Sequence, residues 1–264
     1  MNIKILPLLA TSTILLLSSC NGLAGGSAGN YAMNPNVDYN LIGRRIWQNE
    51  CASSVQGLVH WNDGEAFPSL GICHFIWFPR GHRSHFKESF PSFVAFAESQ
   101  GVNVPSYMKG PAPWPNKRAF LADRSGKADA MRRWLANHVA IQTQYVTIRC
   151  RAGLQDIVAA SRDKRTMALR ITALLATTQG NYCLVDYVNF KGEGLKSSEG
   201  YQGQAWGLKQ VLEEMRGVPR GRAATAEFSR AAAVVLTRRV RNAPRGRNEQ
   251  RWLPGWLNRC KTYR

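Results

Sequence analysis

The sequence predicts a mainly α fold with one small β element, an α+β chain in which helices dominate. Three observations carry this. Apolar residues recur at helical spacing in several separate segments between residues 38 and 241. One stretch, 57–78, instead sets turn residues between short apolar runs, as a small hairpin does. The run AATAEFSRAAAVVLTRRVR, 223–241, is a long alanine-rich helix whose small residues Ala224, Ala231 and Ala232 invite close packing. With 264 residues and 44% apolar composition, the chain builds a real core and is not disordered.

In chain order, DYNLIGRRIWQNE (38–50) is the first helix, with Asp38 or Asn40 as its cap and Ile42, Ile46 and Trp47 or Asn49 along one side. Glu50 falls at its C-terminal end. Asn62, Asp63, Gly64, Pro68 and Gly71 then punctuate the hairpin region. Helical periodicity returns over 88–100 and 127–143, separated by PAPWPNKR; in the second, Met131, Leu135, His138 or Val139, and Gln142 share a face. Residues 151–178 form a helix interrupted once or twice, and NYCLVDYVNF (181–190) is an apolar segment closed by Gly192. A Gly-rich loop to 203 leads to a helix over 206–216, which Pro219 and Gly221 break before the long helix. RNEQRWLPGWLNRC ends the chain in a short helix and turn. No internal repeat or second linker divides 38–264, which is therefore expected to be a single domain.

The N-terminus is a targeting segment. Residues 1–19 carry one charge, Lys4, ahead of a short apolar core, which makes a secretory signal. Its end, Leu17-Ser18-Ser19-Cys20, resembles the bacterial lipobox, which implies cleavage before Cys20 and lipidation of that cysteine. Asn21 follows where an aspartate typically retains such lipoproteins in the inner membrane, so the resemblance implies the outer membrane, facing the periplasm. Residues 20–37, rich in Gly, Ala and Asn, are the flexible tether.

Thirty-five Lys and Arg face 17 Asp and Glu, a formal charge of +18 that points to an anionic partner. No RNA-binding or helix-turn-helix signature is present, so nucleic acid is not the expected partner. For an exported chain the anions are those of the cell wall and the membrane surface. Beyond Cys20 lie Cys51, Cys73, Cys150, Cys183 and Cys260, which in an oxidising compartment predict one or two disulfides and a leftover thiol. No Cys/His ligand spacing marks a metal site. The expectation is a monomer without metal or cofactor.

Against this basic background, NECASSVQGLVHWNDGEAFPSLGICHFIW (49–77) gathers three carboxylates, Glu50, Asp63 and Glu65. A carboxylic acid at a helix end among apolar and aromatic residues is held protonated by desolvation, while one on a polar hairpin stays ionised. Two carboxylates in unlike environments are what glycoside cleavage requires. A turn aspartate before glycine is also ordinary hairpin chemistry, and a helix-end glutamate is commonly just solvated. His60, His82 and His85 are expected in exposed loops, and Trp61, Phe75, Trp77 and Phe78 in the core and cleft lining.

The run Asp63-(x5)-Ser69-Leu70-Gly71-Ile72-Cys73-His74, downstream of a helix-terminal glutamate, resembles the motif of the phage-type lysozymes. That resemblance implies a lysozyme-like fold, a helical lobe with a β-hairpin lining the cleft, and a muramidase that cuts the glycan strand of peptidoglycan. It implies Glu50 as general acid, Asp63 and Ser69 as holders of the attacking water, and His74 near the cleft. LVDYVNFKGEG and NAPRGRNEQRWLPGW are similar to the family's apolar helix and its closing Arg- and Trp-containing segment. The chain departs from the motif in the thirteen-residue interval between Glu50 and Asp63, in Cys73 where the family has glycine, and in Glu65, which adds charge and a further substrate contact. If helix end and hairpin meet in a cleft, Cys51 lies close to Cys73; Cys150 and Cys183 lie on neighbouring helical elements, and Cys260 is left over.

A second stretch, 192–211, resembles the soluble lytic transglycosylases around Gly203-Gln204-Ala205-Trp206-Gly207-Leu208-Lys209-Gln210. There Glu193 or Glu199 would be the lone acid. The preferred expectation is that this stretch is cleft wall, with Gln202, Gln204 and Trp206 touching sugar. A non-catalytic glycan- or envelope-binding lipoprotein of the same fold is the remaining alternative.

Overall fold

A computed structural model of the chain describes residues 34–196 and 200–264. The signal segment, Cys20, most of the tether and Glu199 lie outside the described residues. The architecture is mainly helical, with ten α-helices and two small antiparallel sheets among the described residues. No helix among them is long and apolar enough to cross a membrane.

Helix α1 (Tyr39–Cys51) starts at Asp38, whose carboxylate accepts from Leu41 N at 2.8 Å. That bond satisfies one of the free amides of the first turn. Ile42 and Ile46 bury its inner side against α5 (Val139–Ala159). Gly43 permits the approach, because a Cβ there would stand 2.2 Å from Thr143 Oγ1. The helix unwinds through Ala52 and Ser53, both at positive φ, which leaves Glu50 in the last turn.

The first sheet pairs β1 (Val59–His60) with β2 (Ser69–Leu70), and β2 with β3 (Phe75–Ile76). Val59, Leu70 and Phe75 are cross-strand partners on one face and are buried in the core. His60, Ser69 and Ile76 share the other face. The β2–β3 turn is fixed to the helices by Gln142, a fully buried residue whose Oε1 accepts from Ile72 N at 3.0 Å.

Gln142 also explains why the helix expected over 127–143 is two helices. Helix α4 (Lys127–Asn137) ends at His138, and α5 begins at Val139. Gln142 Nε2 donates to the Leu135 and His138 carbonyls at 2.7 and 3.1 Å, capping the break. The His138 ring stacks on Trp134 at 4.5 Å. The shared face survives the break, since Met131, Leu135, Val139 and Gln142 are all buried.

Helix α2 (Phe90–Ser99) packs on α5, and α3 (Lys117–Ala122) follows, capped by Asn116. The end of α5 with helix α6 (Lys164–Leu175) accounts for the interrupted helix over 151–178, and α7 (Thr178–Lys191) for the apolar segment. Helix α7 is buried nearly all round and stops at Gly192, φ 77°. A second hairpin, β4 (Gly200–Tyr201) with β5 (Gln204–Ala205), was not legible in the Gly-rich loop. Helix α8 (Leu208–Glu214) leads to α9 (Gly221–Asn242), in which Ala224, Ala231 and Ala232 are fully buried, and α10 (Leu253–Lys261) ends the fold. One contiguous cluster of buried apolar residues runs from Val37 to Tyr263.

The cysteine expectation is corrected. Cys51, Cys73, Cys150, Cys183 and Cys260 are all free thiols. Their surroundings overlap without pairing: Cys51 packs on Gly57 and, like Cys73, lies near Glu50; Cys73, Cys183 and Cys260 lie near Asp186; Cys150 lies near Glu193.

Candidate active site

Glu50 reaches out from the last turn of α1 into a buried polar network. Its Oε1 accepts from Arg259 Nη2 at 2.6 Å and from Asn189 Nδ2 at 3.1 Å. Its Oε2 faces His74 Nδ1 at 3.8 Å. Its side chain is 12% exposed. The expected apolar and aromatic surround is therefore replaced by a guanidinium, an amide and an imidazole.

Behind Glu50 stands Asp186, fully buried in the middle of α7. Arg259, on α10, donates to it from Nε at 2.9 Å and Nη2 at 2.8 Å; Tyr263 OH donates at 2.6 Å and Asn49 Nδ2 at 3.2 Å. Asn49 also donates to Tyr182 OH at 2.8 Å. One guanidinium thus serves two carboxylates, and the formal excess of negative charge is spread over neutral donors. Burial by itself would lower the Arg259 pKa, but Asp186 and Glu50 outweigh it and hold the guanidinium well above its ordinary value. Burial, reinforced by Asp186, drives the Tyr263 phenol well up. The Cys73 thiol is likewise driven up by burial and by Glu50.

The sheet supplies the other candidates. Asp63 stands in the turn before Gly64, its side chain 97% exposed, with Lys117 Nζ at 2.6 Å. The hydrogen bond and charge of Lys117 hold its carboxyl below the ordinary range, so it is ionised at neutral pH. Ser69 is almost fully buried, and its Oγ has no hydrogen-bond partner among the described residues. Glu65 is half-buried, accepts from Asn62 Nδ2 at 3.0 Å, and has its pKa raised by burial. His74 occupies a left-handed conformation, φ 51°, an unfavourable one for a non-glycine residue, and it carries the imidazole toward Glu50. His60 shares the outer face with Ser69, and burial and Lys117 depress its pKa.

The structure brings Glu50 and His74 together at the β2–β3 turn, whereas Ser69 lies on β2 and Asp63 in the β1–β2 loop beside Lys117. It does not bring Gln204 there. Gln204 accepts from Asn242 and lines a separate cleft of about 670 Å³ between the α5–α6 loop, α6, the β4–β5 hairpin and α8, none of whose lining residues is Glu50, Asp63 or Ser69. Charged groups of that cleft are already engaged: Arg170 binds the Leu212 and Gly217 carbonyls, Lys209 pairs with Glu213, and Arg238 with Glu214. Trp206 is buried beneath Arg239, whose guanidinium lies 3.9 Å from its ring centre. Glu193 packs on α5, where a Cβ added to Gly153 would stand 2.2 Å from its Oε1. Gln210 anchors the start of α8, accepting from Gly207 N and donating to Gly194 O. His82 is half-buried between Phe67 and Phe78, not in an exposed loop, whereas His60 and His85 are exposed.

Sequence reasoning missed Asp186, Arg259, Tyr263, Asn49 and Asn189. One signal was present: a lone aspartate inside the apolar run NYCLVDYVNF must be buried, and a buried carboxylate requires a paired cation. Compared with protein-family models, curated proteins and solved structures, the chain matches none.

Proposed function

We propose that this protein is a lipid-anchored glycoside hydrolase of lysozyme-like fold that cleaves the glycan strand of peptidoglycan. Glu50 is the general acid, delivering its proton to the glycosidic oxygen. Asp63 holds the water that attacks the opposite face of the sugar, and Ser69, expected to share that role, is buried beneath the site. The observation that carries the reading is the meeting of Glu50 Oε2 with His74 Nδ1 at 3.8 Å, in the turn that follows the strand bearing Ser69. Oε1 is held by Arg259 and Asn189, which fixes the carboxyl in place and leaves the other oxygen toward the hairpin. Asp63, kept ionised by Lys117, has the charge its role needs. Diacylation at Cys20 would hold the domain at the outer membrane on its tether, where the basic surface favours the acidic wall.

The non-catalytic binder is the second reading, favoured by the Arg259–Glu50 ion pair, which already engages the acid. A transglycosylase acting through Glu193 has less support, because that carboxylate is packed against Gly153. Incubation of the acyl-free protein with purified peptidoglycan, followed by mass spectrometry, separates all three. Fragments with reducing ends support the hydrolase, anhydro ends the transglycosylase, and an undegraded polymer the binder.

A further inference from the structure

Half of the chain's formal excess of positive charge lies in one stretch. Residues 228–264 hold ten Lys and Arg against a single acid, Glu249, a formal +9 of the chain's +18. Part of it is already matched by carboxylates: Arg230 pairs with Glu214 and Glu227, Arg238 with Glu214, Arg239 with Glu249, and Arg259 with Glu50 and Asp186. Arg241, Arg245, Arg247 and Arg251 differ. All four are exposed, and none has an ion pair among the described residues.

The fold presents these four on a short, anchored segment. Arg241 is in the last turn of α9, Arg245 and Arg247 lie on one 3-10 turn (Arg245–Arg247), and Arg251 lies on a second (Glu249–Trp252). Asn248, at φ 47°, joins the two turns and donates from its backbone to the Arg245 carbonyl at 3.3 Å. Glu249 is buried, and its carboxylate accepts two bonds of 2.7 Å from Arg239 and one of 2.8 Å from Tyr201 OH. The one negative charge of the segment is therefore spent inward, tying it to α9 and β4, while its arginines stay in solvent. Trp252 and Leu253 follow directly and are half-buried, with the Arg251 guanidinium 4.7 Å from the Trp252 ring centre.

Four unmatched cations within eleven residues exceed what one small anion engages, and suit an extended array of negative groups. The apolar neighbours choose among such arrays. A membrane interface uses both features, because arginine reaches headgroup phosphates over its apolar stem and tryptophan settles at headgroup level. Base stacking, the other use of an aromatic ring beside cations, needs an open ring face, and Trp252 is half-buried with Arg251 over its ring.

We propose that the segment from Arg241 to Leu253 is a membrane-docking face that binds the phosphate headgroups of an anionic phospholipid bilayer. Arg241, Arg245, Arg247 and Arg251 engage the phosphates, and Trp252 with Leu253 enters the interfacial layer. The inference goes beyond the glycosidase reading and depends neither on it nor on acylation of Cys20, since a basic face adds to a lipid anchor and also acts without one.

The test is vesicle sedimentation with the acyl-free protein, residues 20–264 carrying Cys20→Ser, within which the whole core from Val37 to Tyr263 is retained. The probes are vesicles of phosphatidylglycerol mixed with phosphatidylcholine, vesicles of phosphatidylcholine alone, and duplex DNA as a soluble polyanion. The protein should bind the anionic vesicles and not the neutral ones, and less tightly as salt rises. Arg245→Gln combined with Arg247→Gln should weaken binding about 25-fold, at about fivefold for each cation lost from a membrane surface. Lysine at both positions should retain most of the binding. Arg118→Gln combined with Arg124→Gln removes the same charge from exposed positions at and just beyond α3, and should leave binding nearly unchanged. Tryptophan emission should shift to the blue on binding, and Trp252→Phe should lose most of that shift. Equal binding of both vesicle types, no binding of either, equal losses from the two double glutamine variants, or an unshifted emission overturns the proposal. Binding of the duplex without binding of the anionic vesicles overturns it too, and assigns the face to nucleic acid.

Discussion

Arg259 and Glu50, 209 positions apart in the chain, meet at 2.6 Å. The same guanidinium holds Asp186 through two more bonds, so the last helix of the chain is tied at one point to its first helix and to α7. The carboxyl proposed to donate the proton is therefore held by the tertiary structure as a whole, and not by α1 alone.

If Glu50 is the acid, Glu50→Gln should lower the rate of glycan cleavage by about 10²–10⁴, the usual cost of losing a general acid. Asp63→Asn should be nearly as harmful, because an amide lacks the charge that orients water. Ser69→Ala should cost less, since it removes a hydroxyl and no charge. Glu193→Gln should leave the rate largely unchanged. Release of reducing ends from peptidoglycan reads all four; Glu193 essential with Glu50 dispensable would reverse the assignment.

Asp186 tests the network. Asp186→Ala leaves Arg259 buried with one partner fewer and Tyr263 OH without an acceptor. The expected loss is about 3–5 kcal/mol, as found when one side of a buried ion pair is removed. Tyr263→Phe should cost about 1–3 kcal/mol, the penalty of a single buried hydrogen bond left unmade. Urea unfolding monitored by tryptophan fluorescence measures both.

Gly71 should not tolerate a side chain. It sits at φ 71°, and a Cβ there would stand 2.3 Å from Gln142 Oε1. Gly71→Ala should destabilise the protein by about 1–2 kcal/mol from backbone conformation alone, with further loss if Gln142 yields. Because Gln142 also caps the α4–α5 break, amide exchange should quicken at both Ile72 and Gln142. Quickening at Ile72 alone would mean that turn and break are not coupled.

The five cysteines should remain thiols. Non-reducing peptide mapping of residues 34–264 should return no Cys–Cys pair. Cys51, half-buried and pushed up to about 11 by burial and Glu50, should alkylate slowly at pH 8 and faster as the pH approaches that value. A Cys51–Cys73 bridge would contradict the structure.

Acid should unfold the protein partly through Glu227. Its carboxyl is held below its ordinary value of 4.5, chiefly by the hydrogen bond to Arg230. A depressed carboxyl contributes stability above the unfolded value and loses it as the pH falls through the folded one. Stability should therefore decline below about pH 4.5, and Glu227→Gln should flatten that decline. An unchanged slope in the variant would assign the acid sensitivity to other carboxylates.

Much of this architecture is legible locally. Asp38 as cap, the buried pair Ile42 and Ile46, and Glu50 in the last turn follow from i, i+4 spacing and one side-chain oxygen. The turn at Asp63-Gly64 follows from the chemistry of those two residues, and the buried alanines of α9 from their size. These depend on neighbours within about a helical turn, which the sequence displays directly.

What the sequence could not display depends on partners far along the chain. The break at His138 is stabilised by Gln142, whose other bond reaches back to Ile72. The described cysteines, four on helices and Cys73 in the β2–β3 turn, stay free thiols, an outcome that tertiary packing and not chain spacing decides. Most of all, the surroundings of Glu50 were decided by Arg259 and Asn189, which only folding brings to it. Sequence spacing placed a carboxylate at a helix end; tertiary packing chose the charges around it, because electrostatic surroundings depend on distance in space and not on separation along the chain.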